Sequence, residues 1–214
     1  SMEVVLSYED SCLYSCDVAL LQPGNWLNDK IIDFYFQYLG KELYSSVRFI
    51  SSSTVFMLGL CDTETAAEVL EPLNLSASQL LLFPINNNED SRSIGGTHWS
   101  LLAYDPAFGF CHLDSYSNMN RSPCKRVACS IAPLLKVSSD VKSIPCAQQH
   151  NSYDCGVYAL QFAEIYARTF QSRKESDNAS SQKLHDLFTK VTPSKISKLR
   201  ADLRRLIETL HKDQ

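Results

Sequence analysis

Several absences narrow the class of protein that this sequence encodes. No run approaches the ~18 apolar residues that a membrane-spanning helix needs. The opening residues lack the basic and then apolar pattern of a secretory signal. No CxxC pair occurs, and the pairs Cys12/Cys16 and Cys124/Cys129 lack histidines at metal-ligand spacing, so a zinc site is not expected. The net charge of −4 argues against nucleic acid as the main partner.

The chain has eight cysteines among its 214 residues, and their even number raises the alternative of a disulfide framework. Such frameworks concentrate in short secreted chains, whereas this chain is long enough to bury a sizeable core. Cys111 and Cys129 stand inside apolar segments and are expected to behave as small core residues. We therefore expect reduced thiols and an intracellular location, in the cytoplasm and nucleus.

The spacing of apolar residues predicts four helices. They cover residues 25–40, 122–137 and 154–170, and a last, basic helix that begins at Thr192-Pro193. Gly40 is expected to end the first helix, and Pro133 is expected to disturb the end of the second. The charge of the last helix is expected to form a solvated face.

Shorter apolar runs predict strands. Residues 79–86 indicate a buried strand, 97–105 and 108–116 indicate a hairpin, and 141–149 contain a further short strand. The segment 172–181 is expected to be a polar loop. No repeat or linker divides the sequence, so residues 1–214 are expected to form one domain. This order of elements indicates the α+β class with a mostly antiparallel sheet.

Among the eight cysteines, Cys155 is the best candidate for a catalytic nucleophile. It precedes Gly156 and a long apolar helix, and the free N–H groups at a helix N-terminus favour a thiolate. Gly156 permits close approach of a substrate or another backbone. The polar stretch before the cysteine is expected to leave its sulfur accessible to solvent. The alternative is a buried helix-capping cysteine, and these local features do not decide between the two.

A thiolate nucleophile needs an imidazole, and the imidazole needs an acceptor that orients it. His98 opens one strand of the expected hairpin and Asp114 ends the other, so the hairpin should place them side by side. The alternatives are a surface histidine and a turn aspartate. His112, two residues before Asp114, and His150, close to Cys155 in the chain, are rival bases.

Gln149 lies six residues before Cys155. Its side-chain N–H, beside the backbone N–H of the nucleophile, would form an oxyanion hole. Gln148 competes for this role, and an ordinary loop glutamine is the alternative.

Four motifs occur in order along the chain: NWLNDKIIDFY, GTHWSLL, HLDSY and QQHNSYDCGVY. Together they resemble the ubiquitin-like-protein protease family of cysteine peptidases, also called sentrin/SUMO-specific proteases. The resemblance implies a papain-like fold with the nucleophile at a helix N-terminus. It also implies His98, Asp114 and Cys155 as the catalytic triad and Gln149 as the oxyanion glutamine. No metal or organic cofactor is implied.

The resemblance also assigns substrate-binding residues. Trp26 and Trp99 match two tryptophans that roof a narrow tunnel over the C-terminal diglycine of the substrate. Asp29 and Asn86 match positions that contact the tail of the modifier. His150 departs from the pattern, because relatives usually have a second glutamine there. The two tryptophans are the only ones in the chain, and core packing is their ordinary role. Facing each other across a slot, they would exclude any side chain larger than hydrogen.

The short chain, the opening LSYEDSCLYSCDVALLQPGNWLND and the segment LFPINNN before GGTHWS are similar to the deneddylase subgroup. This similarity implies a thiol protease that cleaves after the diglycine of the neddylation modifier, in its precursor and in lysine isopeptide conjugates. The implied partners are the modifier and conjugates such as cullins, acted on by a monomer. The alternatives are a SUMO-specific protease, a non-catalytic module that binds ubiquitin-like folds, and an acyltransferase with the same triad.

The segment 85–96 is polar and ends in two glycines, so it is expected to close over the tail after binding. Upstream of the diglycine, ubiquitin carries an arginine where the neddylation modifier carries an alanine. A deneddylase therefore needs a site that penalises a long cation. Glu89 and Asp90 complicate this expectation, because carboxylates can instead pair with the arginine.

Overall fold

A computed structural model describes residues 3–90, 92, 95–175 and 181–214. The strands are β1 Val4–Tyr8, β2 Ser11–Tyr14, β3 Arg48–Phe49, β4 Leu81–Asn86, β5 Trp99–Asp105, β6 Gly109–Leu113 and β7 Val141–Ser143. The helices are α1 Ser15–Ala19, α2 Asp29–Tyr38, α3 Ser52–Leu60, α4 Thr63–Leu70, α5 Arg121–Leu135, α6 Cys155–Glu175, α7 Ser181–Thr189 and α8 Pro193–Lys212.

Five strands form the main sheet in the order β3-β4-β5-β6-β7. The three long central strands pair antiparallel, with Asn86 opposite Trp99 and Leu101 opposite Leu113. The short edge strands β3 and β7 pair parallel with their neighbours, and β1 and β2 form a separate antiparallel hairpin. The expected strand at 79–86 and the expected hairpin of 97–105 and 108–116 are confirmed. The helices and the long antiparallel strand pairs also confirm the expected α+β class.

Helices cover both faces of the sheet. Along β4, the side chain of Leu82 enters the apolar cluster that includes α2, α6 and α8, whereas Leu81 and Phe83 enter the cluster that includes α3, α4 and α5. A strand that is buried on both faces is apolar at every position rather than at alternate ones. This burial explains why residues 80–85 form a continuous apolar run. The catalytic candidates lie where the central strands end.

Helix α2 begins at Asp29, inside the expected range 25–40, and does not end where its glycine predicts. The side chain of Asn28 accepts a hydrogen bond from the backbone N–H of Ile31 at 3.1 Å and caps the first turn. The expectation that Gly40 ends the helix is wrong, because the chain continues as a single π turn over Leu39–Leu43. A β-carbon on Gly40 would lie 3.2 Å from the ring of Phe49, so the glycine serves close packing.

Two other helix ends differ from expectation. Helix α6 runs to Glu175 and α7 begins at Ser181, so the expected polar loop over 172–181 is wrong at both ends. Its central residues, 176–180, lie outside the described residues. Pro133 lies inside the last turn of α5, and the helix ends at Leu135, followed by Lys136 in a left-handed backbone conformation (φ 56°). Helix α8 begins at Pro193, as expected.

None of the eight cysteines is in a disulfide. Cys111 is buried in the core as expected, but Cys129 is exposed, so its assignment to the core is wrong. The reason is that α5 buries one face only, and Cys129 lies on the other. Within the described ranges, no helix combines the length and apolarity that a bilayer crossing requires.

Candidate active site

The hairpin of β5 and β6 brings a histidine and an aspartate into contact. His98 directly precedes β5 and Asp114 directly follows β6, so both lie at the same end of this antiparallel pair. His98 Nε2 lies 2.6 Å from Asp114 Oδ1, and both side chains are almost fully buried. The two residues therefore lie side by side, as the hairpin predicts.

The imidazole of His98 also interacts with Cys155, which helps to raise the pKa of the histidine. Since Nε2 donates to the carboxylate of Asp114, Nδ1 is the ring nitrogen left for the thiol. Burial lowers the pKa of His98, but the interactions with Asp114 and Cys155 outweigh it and raise the pKa to about 9. The histidine can therefore hold a proton between the carboxylate and the sulfur at neutral pH.

Asp114 is fixed by donors on both of its carboxylate oxygens. Oδ1 accepts from the backbone N–H of Tyr116 and Oδ2 accepts from that of Asn120, each at 2.9 Å. Burial raises the pKa of Asp114, but the hydrogen bonds from His98 and the Asn120 backbone hold it below its ordinary value. The carboxylate is therefore ionised and cannot rotate freely, which suits a residue that orients an imidazole.

Cys155 is the first residue of α6, where backbone N–H groups point beyond the helix end. The residue is only 1% exposed, so the expectation of a solvent-accessible sulfur is wrong. The next residue, Gly156, is closely packed as well, since a β-carbon there would lie 3.1 Å from Leu27 and 3.3 Å from Trp99. These two side chains cover the start of the helix. The contact with His98 distinguishes Cys155 from a merely structural capping cysteine.

The rival histidines have other surroundings. His112 is 2% exposed, its Nδ1 donates to the side-chain oxygen of Asn118, and its Nε2 accepts from the hydroxyl of Ser100, each at 2.8 Å. Burial lowers its pKa. Both ring nitrogens are therefore occupied in a neutral imidazole, whose Nε2 lies 3.9 Å from Oδ2 of Asp114. His150 is exposed in the loop before α6.

The two glutamines before Cys155 point in different directions. Gln149 is buried; its Oε1 accepts from the hydroxyl of Ser115 at 2.7 Å and its Nε2 donates to the carbonyl of Asn151 at 2.6 Å. An amide has two N–H donors, and the second has no acceptor among the described residues. Gln148 instead donates to the carbonyl of Asp114. Gln149 therefore keeps a donor for an oxyanion.

The two tryptophans lie in neighbouring parts of the cleft. Trp99 is 7% exposed, and its indole N–H donates to the carbonyl of Leu27 at 2.9 Å. Trp26, the residue before Leu27, is 47% exposed, and its indole N–H donates to the carbonyl of Ser152 in the loop before the nucleophile. Core packing therefore does not describe Trp26, whose indole lies at the surface between the start of α2 and this loop.

The two expected tail-contacting residues lie on different elements, at the start of α2 and at the end of β4. Asp29 is exposed at the first position of α2, and its carboxylate accepts the backbone N–H of Lys30. Asn86 ends β4, and its side-chain oxygen accepts the backbone N–H of Asn88 at 2.9 Å. A β-carbon on Gly96 would lie 1.7 Å from this same oxygen. Neither residue contacts the triad.

Hydrogen bonds to the side chain of Asn87 join the two ends of the loop between β4 and His98. The side-chain oxygen of Asn87 accepts from the backbone N–H groups of Thr97 at 2.7 Å and of His98 at 3.1 Å. Glu89 forms an ion pair with Arg126 of α5 at 2.7 Å. This pairing reduces the ability of Glu89 to attract a cation in the substrate tail. Residues 91, 93 and 94 lie outside the described residues.

Sequence reasoning missed Asn120, which is completely buried. Its Nδ2 donates to the carbonyls of Ile85 at 3.2 Å and of His98 at 3.1 Å, while its backbone N–H donates to Asp114. It therefore joins the end of β4 to both the acid and the base. No local pattern marks this role, since an asparagine in the stretch SNMN reads as an ordinary turn residue.

The fold and this site define a papain-like thiol protease. The family model described as the Ulp1 protease family, C-terminal catalytic domain, matches residues 25–202, and the chain belongs to this family.

Similar proteins agree with this assignment. The chain is 37% identical to human sentrin-specific protease 8 over 98% of both chains. It is 34% identical to NEDD8-specific protease 1 of Arabidopsis thaliana over 96% of this chain and 93% of that protein. In fold, it is similar to the Ulp1 protease domain solved in complex with Smt3, the yeast ortholog of SUMO, with a TM-score of 0.73. That structure is 20% identical and is matched over 97% of this chain and 88% of its own.

Proposed function

We propose that this chain is a deneddylase, a thiol protease that cleaves after the C-terminal diglycine of NEDD8. The observation that carries the proposal is the position of His98 between Asp114 and Cys155 at the start of a helix. The sequence similarity to a NEDD8-specific protease and to sentrin-specific protease 8 over nearly the whole chain supports the choice of modifier. The proposal treats the whole chain as one catalytic domain.

In the first half of the reaction, the sulfur of Cys155 attacks the carbonyl carbon of the terminal glycine and the carbonyl oxygen becomes an oxyanion. The free N–H of Gln149 and the backbone N–H of Cys155 donate to this oxygen. His98, held by Asp114, gives its proton to the departing lysine amine as the carbon–nitrogen bond breaks. The product is a thioester between the modifier and Cys155.

In the second half, a water molecule attacks the thioester carbonyl while Nδ1 of His98 takes the proton from that water. The carbon–sulfur bond breaks, and the modifier leaves with a free carboxylate. The proton on His98 returns the site to its starting state. No step requires a metal or organic cofactor. We extend the proposal to NEDD8 conjugates of other proteins, such as cullins, with a monomeric enzyme.

Specificity for the diglycine is assigned to the two indoles. Trp99 packs against Gly156 beside the nucleophile, and Trp26 is tied to the loop that precedes it. A tail that passes between them meets ring faces on both sides, and a side chain at either glycine would clash. We assign contacts with the tail on the two sides of this passage to Asp29 and Asn86.

The test compares cleavage of C-terminal fluorogenic amides of NEDD8, SUMO and ubiquitin under identical conditions. We expect kcat/KM to be at least about 100-fold higher for NEDD8 than for the other two, a difference of about 2.7 kcal/mol in transition-state binding. The control is Cys155→Ala, which should bind NEDD8 and release no fluorophore. Faster cleavage of SUMO would show that the chain is a SUMO-specific protease, and cleavage of none of the three would contradict the proposal.

A further inference from the structure

One residue of the basic last helix does not lie on its solvated face. Arg200 of α8 is 4% exposed, whereas Lys195, Lys198 and Arg205 of the same helix are exposed. A buried guanidinium is costly unless its charge is paired and its N–H groups have acceptors. The hydrogen-bond partners of Arg200 therefore show which segments of the chain α8 holds in place.

The guanidinium of Arg200 donates in two directions. Towards the nucleophile, Nε donates to the Asp154 carboxylate at 2.8 Å and Nη2 donates to the carbonyl of Tyr153 at 3.3 Å. Towards the tryptophan segment, Nη1 donates to the carbonyls of Leu20 at 3.0 Å and Gln22 at 3.4 Å.

A further bond completes this second set, since Nη2 of Arg200 donates to the carbonyl of Asn25 at 2.7 Å. A guanidinium has five N–H donors, and these contacts use all of them. Asn25 is the residue before Trp26, so the bond ends one residue from the exposed indole. Only a planar, forked cation can satisfy acceptors on both sides at once.

On the nucleophile side, the contacts continue to the proposed oxyanion donor. Asp154 directly precedes Cys155, and its other carboxylate oxygen accepts from the side chain of Asn151 at 2.8 Å. The carbonyl of Asn151 accepts from Nε2 of Gln149 at 2.6 Å. One unbroken series of hydrogen bonds thus runs from Arg200 through Asp154 and Asn151 to Gln149.

We infer that Arg200 is a positioning residue that holds the segment before Trp26 at a fixed distance from the loop that carries Gln149 and Cys155. This inference rests on the proposed function, because it assigns Arg200 to the turnover step of the same site. Arg200 bonds to the segment before Trp26 and to the loop before Cys155, and none of its hydrogen bonds goes to a triad residue. Its removal should therefore lower kcat while KM for the modifier changes little.

The test is Arg200→Lys, which keeps the positive charge and loses the fork. Arg173→Lys is the matched control, because Arg173 also forms a buried ion pair, with Asp105 at 2.6 Å, in a part of the molecule remote from the site. Both variants should lower Tm. We expect Arg200→Lys to lower kcat for a NEDD8 C-terminal amide at least about tenfold with KM within about twofold, and Arg173→Lys to leave both within about twofold.

A second variant and a second measurement distinguish a positioning role of Arg200 from a general loss of stability. Asp154→Asn removes the same ion pair from the other side, and its effect on kcat should not add to that of Arg200→Lys. The rate of alkylation of Cys155 by iodoacetamide, followed on its peptide by mass spectrometry, should fall in both variants without any substrate present. Folded Arg200→Lys with wild-type kcat and alkylation rate, or equal losses in Arg173→Lys, would overturn the inference. Failure of the wild-type protein to cleave NEDD8 would instead overturn the proposed function.

Discussion

Gly96 lies so close to Asn86 that a β-carbon on the glycine would be 1.7 Å from the side-chain oxygen of the asparagine. Gly95 has nearly the same backbone conformation, with φ of 145° against 146°, but no atom of the described residues lies within 4 Å of its β-position. The two glycines therefore separate the effect of backbone strain from the effect of a collision. This contact lies two residues before His98.

The first prediction uses this pair. Gly96→Ala must displace the amide of Asn86 or the chain that leads to His98, whereas Gly95→Ala meets backbone strain alone. We expect kcat/KM for a NEDD8 amide to fall at least about tenfold further in Gly96→Ala than in Gly95→Ala, a difference of about 1.4 kcal/mol. Steady-state kinetics on both folded variants provide the measurement. Equal losses would show that the contact with Asn86 has no part in catalysis.

The second prediction concerns the general base. His98→Ala should lower kcat/KM by about 10²–10⁴-fold, the usual contribution of a positioned proton-transfer group. His112→Gln should have a much smaller effect on kcat, because the ring of His112 is occupied by Ser100 and Asn118. Its cost should appear in Tm, since the residue is buried. The measurement is a comparison of kcat and Tm for both variants. A larger loss of kcat in His112→Gln would identify His112 as the general base.

The third prediction follows from the raised pKa of His98. The pKa of about 9 in the folded protein lies above the ordinary 6.5, so protonated His98 stabilises the folded state fully below about pH 6.5. That stabilisation is lost as the pH rises from about 6.5 through 9. Asp114→Asn removes the main partner that raises this pKa, so the Tm of the variant should fall less over the same interval. One pKa unit corresponds to about 1.4 kcal/mol.

For a chain of this length, about 1 kcal/mol moves Tm by about 2–4 °C, so the difference in slope is measurable. Thermal unfolding of the wild-type protein and Asp114→Asn at pH 6.5 and pH 9.5 gives the two slopes. Absolute Tm values will differ because the substitution disturbs a buried site, and only the pH dependence tests the coupling. Identical slopes would show that Asp114 does not set the pKa of His98.

The fourth prediction concerns the tail of the modifier. A NEDD8 amide that ends in Ala-Ala should be cleaved far more slowly than one that ends in Gly-Gly, because either methyl group would meet an indole. Trp99→Phe keeps a ring but loses the hydrogen bond to Leu27, so it should retain part of the activity that Trp99→Ala loses. Cleavage of both tails by all three proteins gives the comparison. Equal rates for the two tails on the wild-type protein would refute steric gating.

The sequence was informative where one residue type had one physical meaning. The two apolar runs that flank the turn DPAFG (105–109) predicted the hairpin, and the hairpin in turn predicted that His98 and Asp114 meet. Thr192-Pro193 predicted the start of α8 because proline is well suited to a first helical turn. These features depend on neighbours in the chain, which the sequence displays directly.

The parts that the sequence did not predict depend on distant residues. Asn120 and Arg200 join segments far apart in the chain, and neither stands in a distinctive local pattern. The solvated face expected of the last helix was wrong for Arg200, because the carbonyls that receive it lie in residues 20–25. The burial of Cys155 was missed for the same reason, since Leu27 and Trp99, which pack against the neighbouring Gly156, are distant in the chain.

The central claim is that Cys155 is the nucleophile of a protease that recognises NEDD8. The most direct test is a NEDD8 probe with an electrophile in place of the terminal glycine carbonyl, followed by mass spectrometry of the labelled peptide. The account predicts one adduct per chain, on Cys155, no adduct in Cys155→Ala, and slow labelling in His98→Ala. Labelling of any of the other seven cysteines in place of Cys155, or undiminished labelling of Cys155→Ala, would contradict it.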